Sequence, residues 1–239
     1  MPDRRRHRGP HPEDARLFAA ESIPALRAAV ADVAWLLGRG YPETAVIELV
    51  GNRYSLTSRQ RVAVWRSSSS DEAVARRVSR KRSLAELRER ALRIDGYNVL
   101  ITLESALSGG VLLVGRDGCI RDLASLHGTY RRVEETDRAL TLVGELLTEH
   151  EPRRVTWLFD RPVSNSGRLA QRVRELAAAS GWPWEAKAVP DPDRELIATS
   201  DRIATSDGQI LDACEAWVDL VGPLVTERIP DAWLVSLGA

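Results

Sequence analysis

Three aspartates stand directly after apolar stretches that read as strands. Ile94-Asp95-Gly96-Tyr97-Asn98 closes the first, Leu158-Phe159-Asp160 the second, and Thr205-Ser206-Asp207-Gly208 a later one. In an open parallel sheet, ligands bind beyond the carboxyl ends of the strands, so one edge would receive all three side chains. A single Asp at such a place is an ordinary helix cap. Adjacent unit charges about 4 Å apart, however, repel by roughly 4 kcal/mol at an effective dielectric near 20. Converging carboxylates therefore call for protonation or for a cation. Asp212, five residues past Asp207 on the helix that should follow, is a fourth candidate, and Asp193 in the turn Pro190-Asp191-Pro192-Asp193 is a looser one. With oxygen donors and no His or Cys nearby, the hard ions Mg²⁺ or Mn²⁺ fit best. The chemistry expected is metal-assisted phosphodiester hydrolysis by Asp95, Asp160, Asp207 and Asp212.

Neighbouring residues extend this expectation. Gly96 allows close backbone approach, and Asn98 can fix a carboxylate or a bound water. The loop Arg161-Pro162-Val163-Ser164-Asn165-Ser166-Gly167 precedes a helical pattern at Leu169, so Arg161, Ser164, Asn165 and Ser166 offer an anion seat. Ordinary N-capping by Ser164 or Ser166 is the competing account of that loop. Arg131, with Arg116, Arg121 and Arg132, could clamp a phosphate backbone or simply be solvated. Glu104, nine residues past Asp95, is an outside candidate for a further metal ligand. The pentapeptide Ile-Ala-Thr-Ser-Asp occurs at 197–201 and again at 203–207, so the late acid is either Asp201 or Asp207. Gly208 and the apolar Ile210-Leu211 pair favour Asp207.

These residues need a scaffold of two textures. Residues 1–12, rich in Arg, Pro and His, read as a disordered basic arm. Residues 13–90 read as a small all-helical domain. Leu26, Val30, Val33 and Leu37 recur at helical steps before Gly38 to Pro42 stops them, and a second helix over 43–50 ends at Gly51. Thr57 with Gln60 has capping-box spacing ahead of Arg59, Arg61 and Arg66, and Ser83 with Glu86 repeats the device before Leu84, Leu87 and Ala91. A basic third helix could belong to a DNA-binding helix-turn-helix, although basic helix faces are usually only solvated. Residues 91–239 alternate strands with helices, which predicts a parallel sheet covered by helices. The expected strands are 91–94, 155–159, 185–189, 203–206 and 217–221. A hairpin turning at Asp117-Gly118 is inserted at 111–122.

Composition adds limits. The 239 residues carry 34 basic and 34 acidic side chains, yet residues 1–93 hold 19 basic and 11 acidic ones. The neutral total thus hides a basic helical part and an acidic α/β part, a split that suits nucleic acid as partner. No apolar run reaches the roughly 18 residues of a membrane helix, and no signal-peptide stretch follows the N-terminal arginines, so a cytoplasmic protein is expected. Cys119 and Cys214 stand far apart, and His7, His11, His127 and His150 are equally scattered, which indicates neither a disulfide framework nor a zinc site.

Asp95-Gly96-Tyr97-Asn98 after an apolar strand, Asp160 after the second, and Thr205-Ser206-Asp207 after a late one resemble the acidic positions of PIN-like domains, especially of their NYN branch. The resemblance covers about residues 91–225. It implies an α/β fold, a Rossmann-like α/β/α sandwich with a central parallel sheet, and an acidic pocket holding Mg²⁺ or Mn²⁺. It also implies ribonuclease activity. The two-part layout is similar to a prokaryotic family that joins a helical N-terminal domain to a PIN-like C-terminal one. By position, Asp95 and Asp207 match best, Asp160 matches a less universal position, and Asp193 or Asp212 match loosely. RNA is then the expected partner, with DNA and a homodimer through the helical part as alternatives. The rival reading keeps the fold as a nucleic-acid or nucleotide binding module without catalysis. A haloacid-dehalogenase phosphatase needs an Asp two positions after Asp95, where Tyr97 stands. A dinucleotide site needs Gly-x-Gly-x-x-Gly after the first strand, and Asp-Gly-Tyr-Asn is present instead.

Overall fold

The computed structural model describes residues 7–124 and 130–238. Arg4, Arg5 and Arg6 of the expected arm, and His127, lie outside the described residues. The chain opens with α1 (Asp14–Leu17), a 3-10 turn Ala20–Ser22, α2 (Ile23–Leu37), α3 (Glu43–Arg53), α4 (Ser58–Ser67) and α5 (Asp71–Arg80). Helix α2 buries Leu26, Val30 and Val33, the stripe its periodicity predicts. Both partners of the Thr57 and Gln60 capping box are bonded at the start of α4, and Ser70 caps α5 through the Ala73 N–H. Helix α3 continues past Gly51 to Arg53 instead of stopping there. A Cβ at Gly51 would stand 2.2 Å from an Arg61 guanidinium nitrogen, so this glycine answers a close approach rather than a helix end. Ser83 and Glu86 cap only a 3-10 turn, Leu84–Leu87, because Ala91 already belongs to a strand.

The main sheet has six strands, all parallel, in the order β1-β8-β7-β2-β5-β6. They are β1 (Lys81–Arg82), β2 (Ala91–Asp95), β5 (Arg154–Asp160), β6 (Trp184–Val189), β7 (Arg202–Ala204) and β8 (Trp217–Val218). The intervening helices are α6 (Gly96–Leu107), α7 (Thr136–His150), α8 (Ser166–Ser180), α9 (Pro192–Ile197), α10 (Gly208–Ala213) and α11 (Val221–Arg228). Strand residues alternate between two cores. Leu92, Ile94, Trp157 and Phe159 join α6, α7, α8 and α11 on one face, while Leu158, Ile203 and Trp217 join Leu196, Ile210 and Leu211 on the other. The result is the expected three-layer α/β arrangement with a Rossmann-like parallel sheet. Two strands, β7 and β8, are shorter than the expected 203–206 and 217–221. Thr205 and Ser206 leave the ladder to bond Asp95 and Asn98. After Val218, the Asp219 carboxylate accepts the Gly222 N–H at 2.8 Å and turns the chain into α11.

The inserted hairpin forms as expected, with β3 (Val111–Val114) antiparallel to β4 (Ile120–Asp122) and Gly118 in the left-handed region at φ 76°. A last strand, β9 (Trp233–Ser236), pairs parallel with β3 to complete a second, three-stranded sheet. Val111, Leu113, Val235 and Leu237 of this sheet close the core formed by Leu26, Val30, Val33, Val46 and Val64. The helical part and the α/β part therefore share apolar packing.

Two expectations about basic segments change here. Residues 7–12 are not a loose arm: Arg8 is paired with the fully buried Glu104. The arginines of α4 do not form a free basic face. Arg59 pairs with the buried Asp14, Arg61 donates to Asn52 at 2.8 Å, and Arg66 donates to the Asp122 carbonyl at 2.5 Å.

Candidate active site

Strand β2 is the point where the sheet order reverses. From β2 the chain builds β5 and β6 to one side, then returns to lay β7 and β8 on the other. Such a switch point opens a crevice at the carboxyl ends of the two diverging strands. Asp95 ends β2 in that crevice, and Thr205 to Asp207 follow β7 beside it, since Ile94 is in register with Ala204.

The geometry centres on Thr205. Its hydroxyl donates to Asp95 Oδ2 at 2.7 Å and accepts the Asp207 N–H at 3.0 Å, which joins the two acidic turns. Both Thr205 and Ser206 are buried. Asp95 Oδ1 also accepts the Asn98 N–H at 3.4 Å, and Asp207 Oδ1 accepts from the Gln209 and Ile210 N–H groups at 2.8 and 3.3 Å, so each acid caps the helix after it. Asn98 Oδ1 accepts both the Ser206 N–H at 2.7 Å and the Ser206 hydroxyl at 3.0 Å. The main-chain donor fixes which end of the amide faces Ser206. A Cβ at Gly96 would lie 2.3 Å from the Phe159 ring, so only glycine lets α6 start this close to β5.

Electrostatically the aspartates sense one another. Burial raises Asp95 to about 7; the Thr205 hydroxyl opposes the rise, while the charges of Asp207 and Asp193 add to it. Burial and the charges of Asp207, Asp160 and Asp191 raise Asp193 in turn, and burial with the Asp191 charge raises Asp160. Among the described residues no Arg or Lys forms an ion pair with Asp95, Asp160, Asp193 or Asp207. The donor set is thus hard and, among the described residues, has no paired cation. No three such side chains among the described residues already stand around a common point. Mg²⁺ binds through one or two carboxylates while keeping several of its waters, and these acids fit that mode.

Other predicted residues are placed elsewhere. Asp212 forms a two-point ion pair with Arg77, at 2.8 and 2.7 Å, and so serves the junction with α5 rather than the crevice. Asp201 precedes β7 at the opposite edge and pairs with Arg93 at 2.9 Å, which leaves Asp207 as the acid of the repeat that faces the site. Glu104 is buried against Arg8, Tyr130 and Thr136 in a separate network. Arg116 donates to the Ser69 carbonyl and pairs with Asp71, and Arg121 pairs with Asp117.

The expected anion loop is only partly available. Asn165 adopts φ 71° and donates its amide to the Tyr130 carbonyl at 2.9 Å, while Ser166 is buried with its hydroxyl toward the Arg161 carbonyl at 3.4 Å. Arg161 and Ser164 are exposed, and the Ser164 carbonyl accepts the Tyr130 N–H at 3.2 Å. That bond brings exposed Arg131, next in sequence, alongside the loop. Two contributors escape a reading by strand ends: Thr205, whose role rests on a partner 110 residues away, and Asp191, the α9 cap that couples to Asp160 and Asp193. The Pro190 to Asp193 turn is the one local signal for the latter.

Comparison with known proteins adds lineage. A family model described as a domain of unknown function, DUF5616, matches residues 84–223. A second, described as a protein of unknown function, DUF434, matches residues 25–80. An uncharacterized protein of Methanocaldococcus jannaschii is 31% identical over 198 residues, which span 83% of this chain and 93% of the relative. No solved structure matches the chain.

Proposed function

We propose, for a chain that belongs to the DUF5616 family, that it is a metal-dependent ribonuclease whose site lies in the crevice between β2 and β7. The observation that carries this reading is the Thr205 bridge. It holds Asp95 and Asp207 at one edge, with Asp193 and Asp160 near enough to shift one another's protonation and, among the described residues, with no Arg or Lys paired to them. Asp95 and Asp207 would hold Mg²⁺ or Mn²⁺, with Asp193 and Asp160 beside them to receive the ion's waters. Such an ion, when bound, lowers the pKa of a water and neutralises charge on a phosphate. Asn98, anchored by Ser206, orients the attacking water. Arg161 and Arg131 meet the RNA backbone beside the crevice, with Ser164 as a neutral contact. Asp212 plays no part at the reacting centre.

One observation favours the rival reading, a PIN-like module that binds nucleic acid without cutting it: Asp95 and Asp207 each cap a helix, a role sufficient to retain an Asp. A cleavage assay on single-stranded and structured RNA with Mg²⁺ or Mn²⁺ decides between them. The nuclease reading expects cutting by the wild type and its loss in Asp95→Asn and Asp207→Asn. No cutting under either ion, together with no stabilisation by millimolar Mn²⁺, supports the binding module.

A further inference from the structure

The opposite edge of the main sheet carries the opposite chemistry. Where β5 and β6 begin, a cleft of about 450 Å³ is walled by Arg153, Arg154, Trp182, Pro183, Trp184 and Glu185. That volume falls within the roughly 300–1,000 Å³ of small-molecule sites. The two tryptophan rings lie 4.6 Å apart between centroids, tilted by 32°. Helix α7 is shaped to receive one of them: a Cβ at Gly144 would stand 2.1 Å from the Trp182 ring, so glycine makes the room that fixes it.

The arginines are uncommitted. Among the described residues neither Arg153 nor Arg154 has a side-chain hydrogen bond or ion pair, and both are exposed. Of the nearby acids, Glu151 pairs with Arg88, and Glu185, in the cleft wall itself, pairs with Lys187 at 3.3 Å. Unpaired guanidinium groups beside a rigid aromatic surface suit a ligand with phosphates and planar rings, the combination that single-stranded nucleic acid presents. From these observations we propose that the cleft is a second nucleic-acid site, which binds single-stranded RNA with a base against Trp182 and the flanking phosphates at Arg153 and Arg154. The choice of RNA rests on the nuclease reading; the site does not. Strand β5 links the cleft to Asp160, about 20 Å away over the six steps from Arg154 at roughly 3.3 Å each. A single strand would thus be held at one edge of the sheet and reach the acids at the other.

The test uses the full chain carrying Asp95→Asn, in EDTA, with a fluorescein-labelled twelve-nucleotide oligouridylate followed by anisotropy. Arg153→Glu with Arg154→Glu alters exposed side chains, so a native melting temperature and far-UV circular dichroism check its fold. The expected result is at least a tenfold weaker Kd. In the milder Arg153→Ala with Arg154→Ala variant, the slope of log Kd against log salt falls by about 0.7 for each phosphate that is no longer neutralised. Trp182→Phe keeps a smaller ring and should weaken binding less than Trp182→Leu. Unchanged affinity in the double arginine variants overturns the proposal. Equal competition by inorganic tripolyphosphate, with no effect at Trp182, overturns it too, since the edge would then be a cation patch. Loss of binding in a protein that cuts no RNA leaves the cleft standing and removes the nuclease; cutting that needs Asp95 with cleft variants that bind normally does the reverse.

Discussion

Arg121 Nε donates to the main-chain carbonyl of Ser206 at 2.7 Å. The same guanidinium pairs with Asp117, and Asp117 pairs with Arg77 of α5, which also grips Asp212 and the Gly208 carbonyl. A chain of charges thus runs from the helical part, through the inserted hairpin, to the turn that presents Asp207. The site is positioned from the domain junction.

Removing Arg77 should therefore damage both stability and the crevice. Arg77→Ala leaves Asp117 buried with Arg121 alone and Asp212 with only Arg76 at 3.5 Å, for which a loss of about 3–5 kcal/mol is expected in urea unfolding. Arg77→Met together with Asp117→Leu, Arg121→Met and Asp212→Leu removes the charges as a set and should recover much of it. If the single variant unfolds at wild-type urea, the network is decorative.

Acid should act through Asp117. Burial pushes this carboxyl up, but Arg121 and Arg77 outweigh it and hold it at about 2, below the ordinary 3.8. A depressed carboxylate contributes stability above its unfolded value and loses it as pH falls toward the folded one. Between about pH 4 and pH 2 the wild type should lose about 2 kcal/mol that Asp117→Asn, already weakened, does not. Parallel pH profiles for the two proteins would sink this.

Asp95 predicts the opposite slope. Its value of about 7 means that the folded state holds a proton the unfolded chain releases near 3.8, so without metal stability falls as pH rises through that window. The loss is at most about 4 kcal/mol by pH 8 and should be absent in Asp95→Asn. Millimolar Mn²⁺ should raise the melting temperature more at pH 8 than at pH 5, and EDTA should reverse the gain. An equal effect at both pH values would argue against Asp95 as a ligand.

The Thr205 bridge can be cut without adding charge. Thr205→Val keeps the shape but deletes one donor and one acceptor, which should cost about 1–3 kcal/mol and push Asp95 higher. Any cleavage should then need a higher pH, whereas Thr205→Ser should behave like the wild type. A pH profile unmoved by Thr205→Val would show that the hydroxyl does not tune Asp95.

What can be read from sequence follows from how local each signal is. The strands ending in Asp95 and Asp160 are largely apolar, and Asp207 is followed by its own helix, so type and edge are both legible. Asp212 misleads because its partner, Arg77, lies 135 residues earlier on another element. Glu104 looks available until Arg8, Tyr130 and Thr136 are folded around it. Strands β1 and β9, of two and four residues, exist only through pairing with β8 and β3, and no local pattern announces them. The pairing of Trp182 with Gly144 is a fact of packing between distant segments that periodicity cannot express.

The core shared by α2, α3 and α4 with β3 and β9 bears on inheritance. A chain cut between the segments matched by the two family descriptions would leave Leu26, Val30 and Val64 bare on one piece, and Val111, Leu113 and Val235 bare on the other. Each fragment would carry exposed apolar surface, so the two segments are expected to descend together, and a gene fission between them should favour a partner that reunites the halves.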